Sequence, residues 1–216
     1  MTTSPLSRLS LRRLAIVNIA LHGLGLLLAA LYLRPASPAI PLAERMAYLA
    51  NHPAGWTAAW CAWIGCMITM VAFTVVAAAR LGGDNLLARV AVIVAVTAGG
   101  FDLLGDSLFI AVLPRVATFD PPNEQLFLTI ERAIQILSLV VANGLYSVAT
   151  LLLSLAARAR LRHALVALGI GVFVSGMLLA LAAFTGVSWH AEAATPATIG
   201  LYIVWVWLTA CELEAK

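Results

Sequence analysis

The chain has 216 residues, 62% of them hydrophobic and 11% charged, with a mean hydropathy of +0.99. Soluble domains run at about 45–50% apolar and about 25% charged residues, so this composition excludes a water-soluble protein and predicts an integral membrane one. The net charge of +3 then reflects arginines placed around a membrane rather than a nucleic-acid footprint, and the continuous apolar runs exclude a β-barrel, whose strands alternate.

Six spans are predicted, at about 14–33, 54–79, 90–113, 126–155, 164–187 and 197–211. Each is helical because lipid offers no partners to an open backbone. The expected fold is an all-α bundle of six transmembrane helices forming a single membrane domain. Arg8, Arg12 and Arg13 precede the first span. Its run of about 20 apolar residues exceeds a secretory signal core, so an uncleaved helix is expected. Asn18 and His22, four apart, share one face of it with Gly25 and Ala29.

Between the first two spans, residues 41–51 (PLAERMAYLAN) form a short amphipathic pattern with Leu42, Met46 and Leu49 on one face. Such a helix either lies on the membrane or covers a cavity. Trp56, Trp60 and Trp63 open the second span and Trp189 closes the fifth, as an interfacial aromatic belt would place them. Cys61 and Cys66 are about 140° apart around a helix, which excludes a bridge between them. Together with Cys211 they read as packing residues.

The third span carries two aspartates one turn apart, Asp102 and Asp106, and no Lys or Arg lies within it. A carboxylate at bilayer depth costs at least ~2.5 kcal/mol, so intramembrane acids are functional candidates by default. Gly99 and Gly100 just before them allow close helix approach. The string from Asp84 to Asp106 (DNLLARVAVIVAVTAGGFDLLGD) resembles the signature of the CDP-alcohol phosphatidyltransferases, a family of six-helix enzymes. Asp84, Ala88, Arg89, Asp102 and Asp106 stand at that family's spacings. The resemblance implies aspartates that bind a divalent metal and a last aspartate that activates the alcohol. Leu81 replaces the first metal-binding aspartate, and Asn85 and Ala98 replace two glycines.

The fourth span is long enough to tilt or project. Glu131, Gln135, Ser138 and Tyr146 fall on one side of it, with Arg132 and Asn143 on the flank. Counting 1.5 Å per residue puts Asp106 roughly 13 Å from the outer end of its span, and Glu131 and Arg132 roughly 12 Å from theirs. One level is therefore expected, with Arg132 paired to Asp106 or Glu131 and Asp102 one turn deeper near His22. In the fifth span Gly171 and Ser175 have small-xxx-small spacing. Tyr202, Trp205 and Trp207 in the sixth are packing residues or the wall of a pocket.

Nine basic residues (Arg8, Arg12, Arg13, Arg80, Arg89, Arg158, Arg160, Arg162, Lys216) fall on one side of this topology and three (Arg34, Arg45, Arg115) on the other. The positive-inside rule then places both termini in the cytoplasm, with the chain in the plasma (inner) membrane. Asn18, His22, Asp102, Asp106, Glu131, Arg132, Gln135, Asn143 and Tyr146 are expected to line an acidic cavity in the outer half of the bilayer. Three acids against one arginine require a proton, a cation or water. A proton- or cation-coupled carrier of a small solute fits, and six helices without a repeat suggest a homodimer. A membrane enzyme acting on a lipidic or prenyl substrate, with Asp102, Asp106 or Glu131 as acid or base, is the alternative. A structural polar network is the third reading. No cofactor signature is present; His52 and His190 do not form a haem pair, and a metal at His22 and the acids stays open.

Overall fold

The structure, a computed structural model, describes residues 10–82, 84–186 and 188–215, and the side chains of 188–193 lie outside the description. Arg8, Lys216 and the side chains of Trp189 and His190 therefore fall outside the described residues. Among the described residues nine α-helices follow one another: α1 (Leu11–Leu28), α2 (Leu42–Asn51), α3 (Pro53–Leu81), α4 (Leu86–Ala111), α5 (Leu113–Ala117), α6 (Glu124–Gln135), α7 (Asn143–Ala156), α8 (His163–Thr185) and α9 (Ser188–Glu214). π-Helical turns extend α1 over Ala29–Leu33 and join α6 to α7 over Ile136–Ala142. Six stretches are long and apolar enough to cross a membrane: Leu11–Ala36, Pro53–Leu81, Leu86–Ala117, Glu124–Ala156, His163–Thr185 and Ala194–Glu214. The all-α, six-span architecture is the predicted one; five spans extend beyond both predicted ends, and the fifth starts one residue before 164 but stops at Thr185, short of 187.

Local chemistry sets the ends. The side chains of Ser10, Asn85 and Asn123 accept backbone N–H groups of Arg13, Ala88 and Leu126, at 3.3, 3.2 and 2.9 Å, which caps α1, α4 and α6. Pro53 occupies the first turn of α3, where its missing N–H costs nothing. Gly186, in the left-handed region at φ 76°, ends α8.

The six spanning helices close into a ring. α1 packs on α3, α3 on α4, α4 on α7, α7 on α8, α8 on α9, and α9 returns to α1. Their buried stripes repeat at alternating steps of three and four: Leu11, Ala15, Asn18, His22 and Gly25 on α1, and Leu165, Gly169, Val172, Gly176, Leu179 and Ala183 on α8. That is the period of helices crossing at small left-handed angles. Ala, Gly and Ser fill many of these positions because close approach is what holds helices together in lipid. Leu24, Leu27, Ile68, Ile93, Leu178 and Leu181 point outward, where the lipid would be.

The interior is layered. One apolar layer, at the arginine-rich end, gathers Leu11, Phe73, Val76, Leu153, Leu165 and Trp205. At the same end Ser10 donates to Glu214 at 3.1 Å, Arg12 pairs with Glu214 at 3.4 Å and Arg162 with Glu212 at 3.5 Å. The two ends of the described chain thus meet on one side of the bundle.

A second apolar layer, at the opposite end, is built from Met46, Leu49, Trp56, Trp60, Phe109 and Phe127. Here α2 covers the bundle, with Arg45, Met46 and Leu49 buried. Trp56 and Trp60 correct the expectation of an interfacial belt. Both are buried; Trp60 stacks on Phe109 at 4.1 Å, and Trp56 Nε1 donates to the Phe109 carbonyl at 2.7 Å. The cap formed by α2 withdraws them from the lipid. Trp207, by contrast, is 39% exposed.

α8 approaches its neighbours closely at Gly169, where an added Cβ would meet the Ser154 side chain and lie 2.8 Å from Trp205 Nε1; at Gly171 it would meet nothing within 4 Å. Gly169→Val is therefore expected to lower the unfolding free energy by about 1–3 kcal/mol. Gly171→Ala should stay within about 0.5 kcal/mol of the parent. Detergent unfolding titrations of the purified protein check both.

Candidate functional site

A polar layer lies between the two apolar ones. Asp102 and Asp106 follow Ala91, Ala95 and Ala98 along the inward stripe of α4, so the same helical period that builds the core aims both carboxyls inside. Asp106 is 1% exposed. Facing them across the bundle is Ser138, in the π-helical turn. Its hydroxyl lies 2.7 Å from Asp102 Oδ1 and 3.3 Å from Asp106 Oδ1. Gly105 makes this contact: a Cβ there would stand 2.9 Å from Ser138 Cβ and 3.3 Å from its backbone nitrogen.

Asp106 Oδ2 is buried without a hydrogen-bond partner. The Tyr146 hydroxyl, also buried and unpartnered, is directed toward Asp102. Cys66 of α3 lies within electrostatic range of both acids, and Tyr202 of α9 lies near Cys66 and Tyr146. Tyr202 packs against His22 with ring centroids 5.3 Å apart. The His22 ring donates from Nδ1 to the Asn18 carbonyl at 2.9 Å, and Asn18 Nδ2 donates to Thr69 at 3.1 Å, leaving Asn18 Oδ1 unpartnered. Asn18, His22, Asp102, Asp106 and Tyr146 thus converge on one interior.

The other sequence candidates do not join them. Glu131 is paired with Arg45 of α2, a buried contact in which Arg45 Nε also donates to the Ala36 carbonyl at 3.2 Å. Phe127 lies under the same guanidinium, 5.6 Å from its carbon to the ring centroid. Burial pulls Arg45 below its ordinary value, but a guanidinium has enough margin to remain charged. Arg132, expected to pair with Asp106 or Glu131, instead donates to the carbonyls of Ala183 (2.8 Å) and Phe184 at the end of α8. A cation there answers the helix dipole and two open carbonyls. Asn143 turns back on its own helix, its amide 3.3 Å from the carbonyls of both Ser138 and Leu139. Gln135 is half-buried and makes no side-chain hydrogen bond among the described residues.

The level expected for Asp106 was wrong for a geometric reason. The third span does not turn at Arg115; it bends at Val112 and continues through α5 to Ala117. Asp106 faces Ser138, two turns beyond Glu131, and sits beneath the aromatic layer rather than level with Glu131 and Arg132. Among the described residues no ion pair reaches Asp102 or Asp106, and no group of three or more His, Cys, Asp or Glu side chains is placed to hold a metal.

No family model matches the sequence, and neither curated proteins nor solved structures give a match. The phosphatidyltransferase-like spacing is also divided by the fold. Asp84 precedes α4, and the helix from Leu86 carries Asp102 roughly 24 Å away, too far for one metal ion.

Two contributors had weak signals in the sequence. Arg45 stands beside Met46 on the apolar face of α2, and a cation on such a face calls for a buried partner. Tyr202 falls on the inward stripe of α9. Because removing one partner strands a buried charge, Arg45→Met and Glu131→Leu are each expected to destabilise by about 3–5 kcal/mol. The double substitution should recover most of that loss, which a double-mutant unfolding cycle measures.

Proposed function

We propose that this is a multi-pass plasma-membrane protein, both termini cytoplasmic, that binds a proton or small cation at Asp102 and Asp106 and couples it to the movement of a small solute. One observation carries the reading: buried Asp106 and half-buried Asp102 share the Ser138 hydroxyl, and among the described residues neither pairs with an arginine or lysine. The arginines available from the neighbouring elements are committed elsewhere, Arg45 to Glu131 and Arg132 to the end of α8. A pair of carboxyls left in that state is a place for a positive charge that comes and goes. The unpartnered Asn18 and Tyr146 oxygens add polar atoms to the same interior. Six helices are few for alternating access, so the working unit is a homodimer.

Proteoliposomes containing an entrapped pH-sensitive dye test this under imposed pH and sodium gradients, with and without a mixture of external sugars and amino acids. The parent should dissipate at least one gradient faster than empty liposomes. Asp106→Asn, which keeps the shape and removes the titrating oxygen, should reduce that rate about 100-fold. Parent protein indistinguishable from empty liposomes, or Asp106→Asn as fast as the parent, would sink the proposal.

A further inference from the structure

The charge that the acid pair accepts can be named from the local geometry. Ser138 has one hydroxyl hydrogen and sits within hydrogen-bond distance of two carboxyl oxygens, 2.7 Å from Asp102 and 3.3 Å from Asp106. It can donate to only one of them. The shorter contact is to Asp102, so the longer one becomes a hydrogen bond only if Asp106 supplies the proton and the Ser138 oxygen accepts it.

A metal cation fits the same place poorly. Where membrane helices unwind, the freed backbone carbonyls are the usual ligands for sodium. The π-helical turn frees such carbonyls, but Asn143 donates its side-chain amide to both Ser138 O and Leu139 O, at 3.3 Å each. Space is missing as well. At Gly105 the backbone of α4 and the Ser138 turn are already in contact, and even a methyl group there would come within 2.9 Å. Hard cations need about six oxygen ligands, which this contact cannot arrange. A proton needs neither room nor a coordination shell.

We propose that the occupant is a single proton held in a relay of Asp106, Ser138 and Asp102, an inference that rests on the functional reading above. The Asp106 O–H donates to Ser138 Oγ, and the Ser138 O–H donates to Asp102 Oδ1. When the Ser138 O–H bond breaks and an O–H bond forms at Asp102, the Asp106 proton passes to Ser138. The net result is one proton moved from Asp106 to Asp102, with no redox change and the serine restored. Tyr146, buried, unpartnered and directed toward Asp102, is the next oxygen on the path. The other titratable groups around the relay are Cys66 of α3, Tyr202 of α9 and His22 of α1.

Infrared difference spectroscopy of the protein in lipid, between alkaline and acidic pH in H2O and D2O, tests the relay. A protonated carboxylic-acid carbonyl band is expected, moving to lower frequency in D2O and absent from Asp106→Asn. In Ser138→Ala the band should persist but move to higher frequency, because its hydrogen bond is lost; this variant serves if the asparagine variant does not fold. Replacing choline chloride by sodium chloride should leave the band unchanged. A band that persists in Asp106→Asn, or that is unmoved in Ser138→Ala, overturns the relay. Displacement of the band by sodium overturns the proton assignment while the cation-coupled reading stands. Absence of any such band, together with full activity of Asp106→Asn in proteoliposomes, removes both.

Discussion

Two carboxyl groups on successive turns of α4 meet one serine hydroxyl, and among the described residues no arginine pairs with either. Charge in an apolar interior is expensive, and the rest of the bundle is arranged around that expense. The polar side chains that accompany the acids come from α1, α3, the α6–α7 turn, α7 and α9, so most of the ring contributes. Above and below, large apolar side chains close the bundle: Phe73 and Trp205 on one side, Trp60 and Phe109 on the other. The low-dielectric layers are what make the hydroxyl contacts at Ser138 matter, because electrostatic interactions strengthen among apolar side chains.

The cationic side chains are distributed with equal economy. Arg12 and Arg162 tie the helix ends at one face of the bundle through Glu214 and Glu212. At the other, Arg45 draws α2 over the opening by its contact with Glu131, and Arg132 closes the end of α8. Of these cations only Arg45 answers a carboxylate that would otherwise be buried alone; Arg12 and Arg162 are themselves exposed. The consequence for the site is indirect: the arginine that sequence spacing would assign to the acids is occupied, and among the described residues the acid pair has no cationic partner.

The π-helical turn over Ile136–Ala142 links these features. An extra residue in a helical turn rotates everything after it relative to an ideal helix. Ser138 faces Gly105 there, Asn143 is recruited to the loosened carbonyls, and Tyr146 returns to the interior. A wheel drawn at 100° per residue groups Glu131, Gln135, Ser138 and Tyr146 on one side. In the folded chain Glu131 turns to Arg45, and Gln135 bonds with none of the described residues.

Much of the architecture was readable from residue order. Hydropathy and length determine six helices because a lipid interior leaves the backbone no alternative, and two aspartates among 24 apolar-biased residues between Val90 and Leu113 mark the site without help from structure. Asn18, His22 and Tyr146 were legible for the same reason, as polar groups on inward stripes. What the linear pattern lacks is axial offset and rotation between helices. The bend at Val112 moved Asp106 from the level of Glu131 to that of Ser138, and the placement of α2 gave Glu131 to Arg45. Partner choice depends on contacts of a few ångströms between segments 32 to 86 residues apart, and only the packed bundle sets those distances. The sequence alone therefore determined that two acids lie within an apolar helix of a membrane protein; tertiary packing decided that both reach the Ser138 hydroxyl and, among the described residues, no cation.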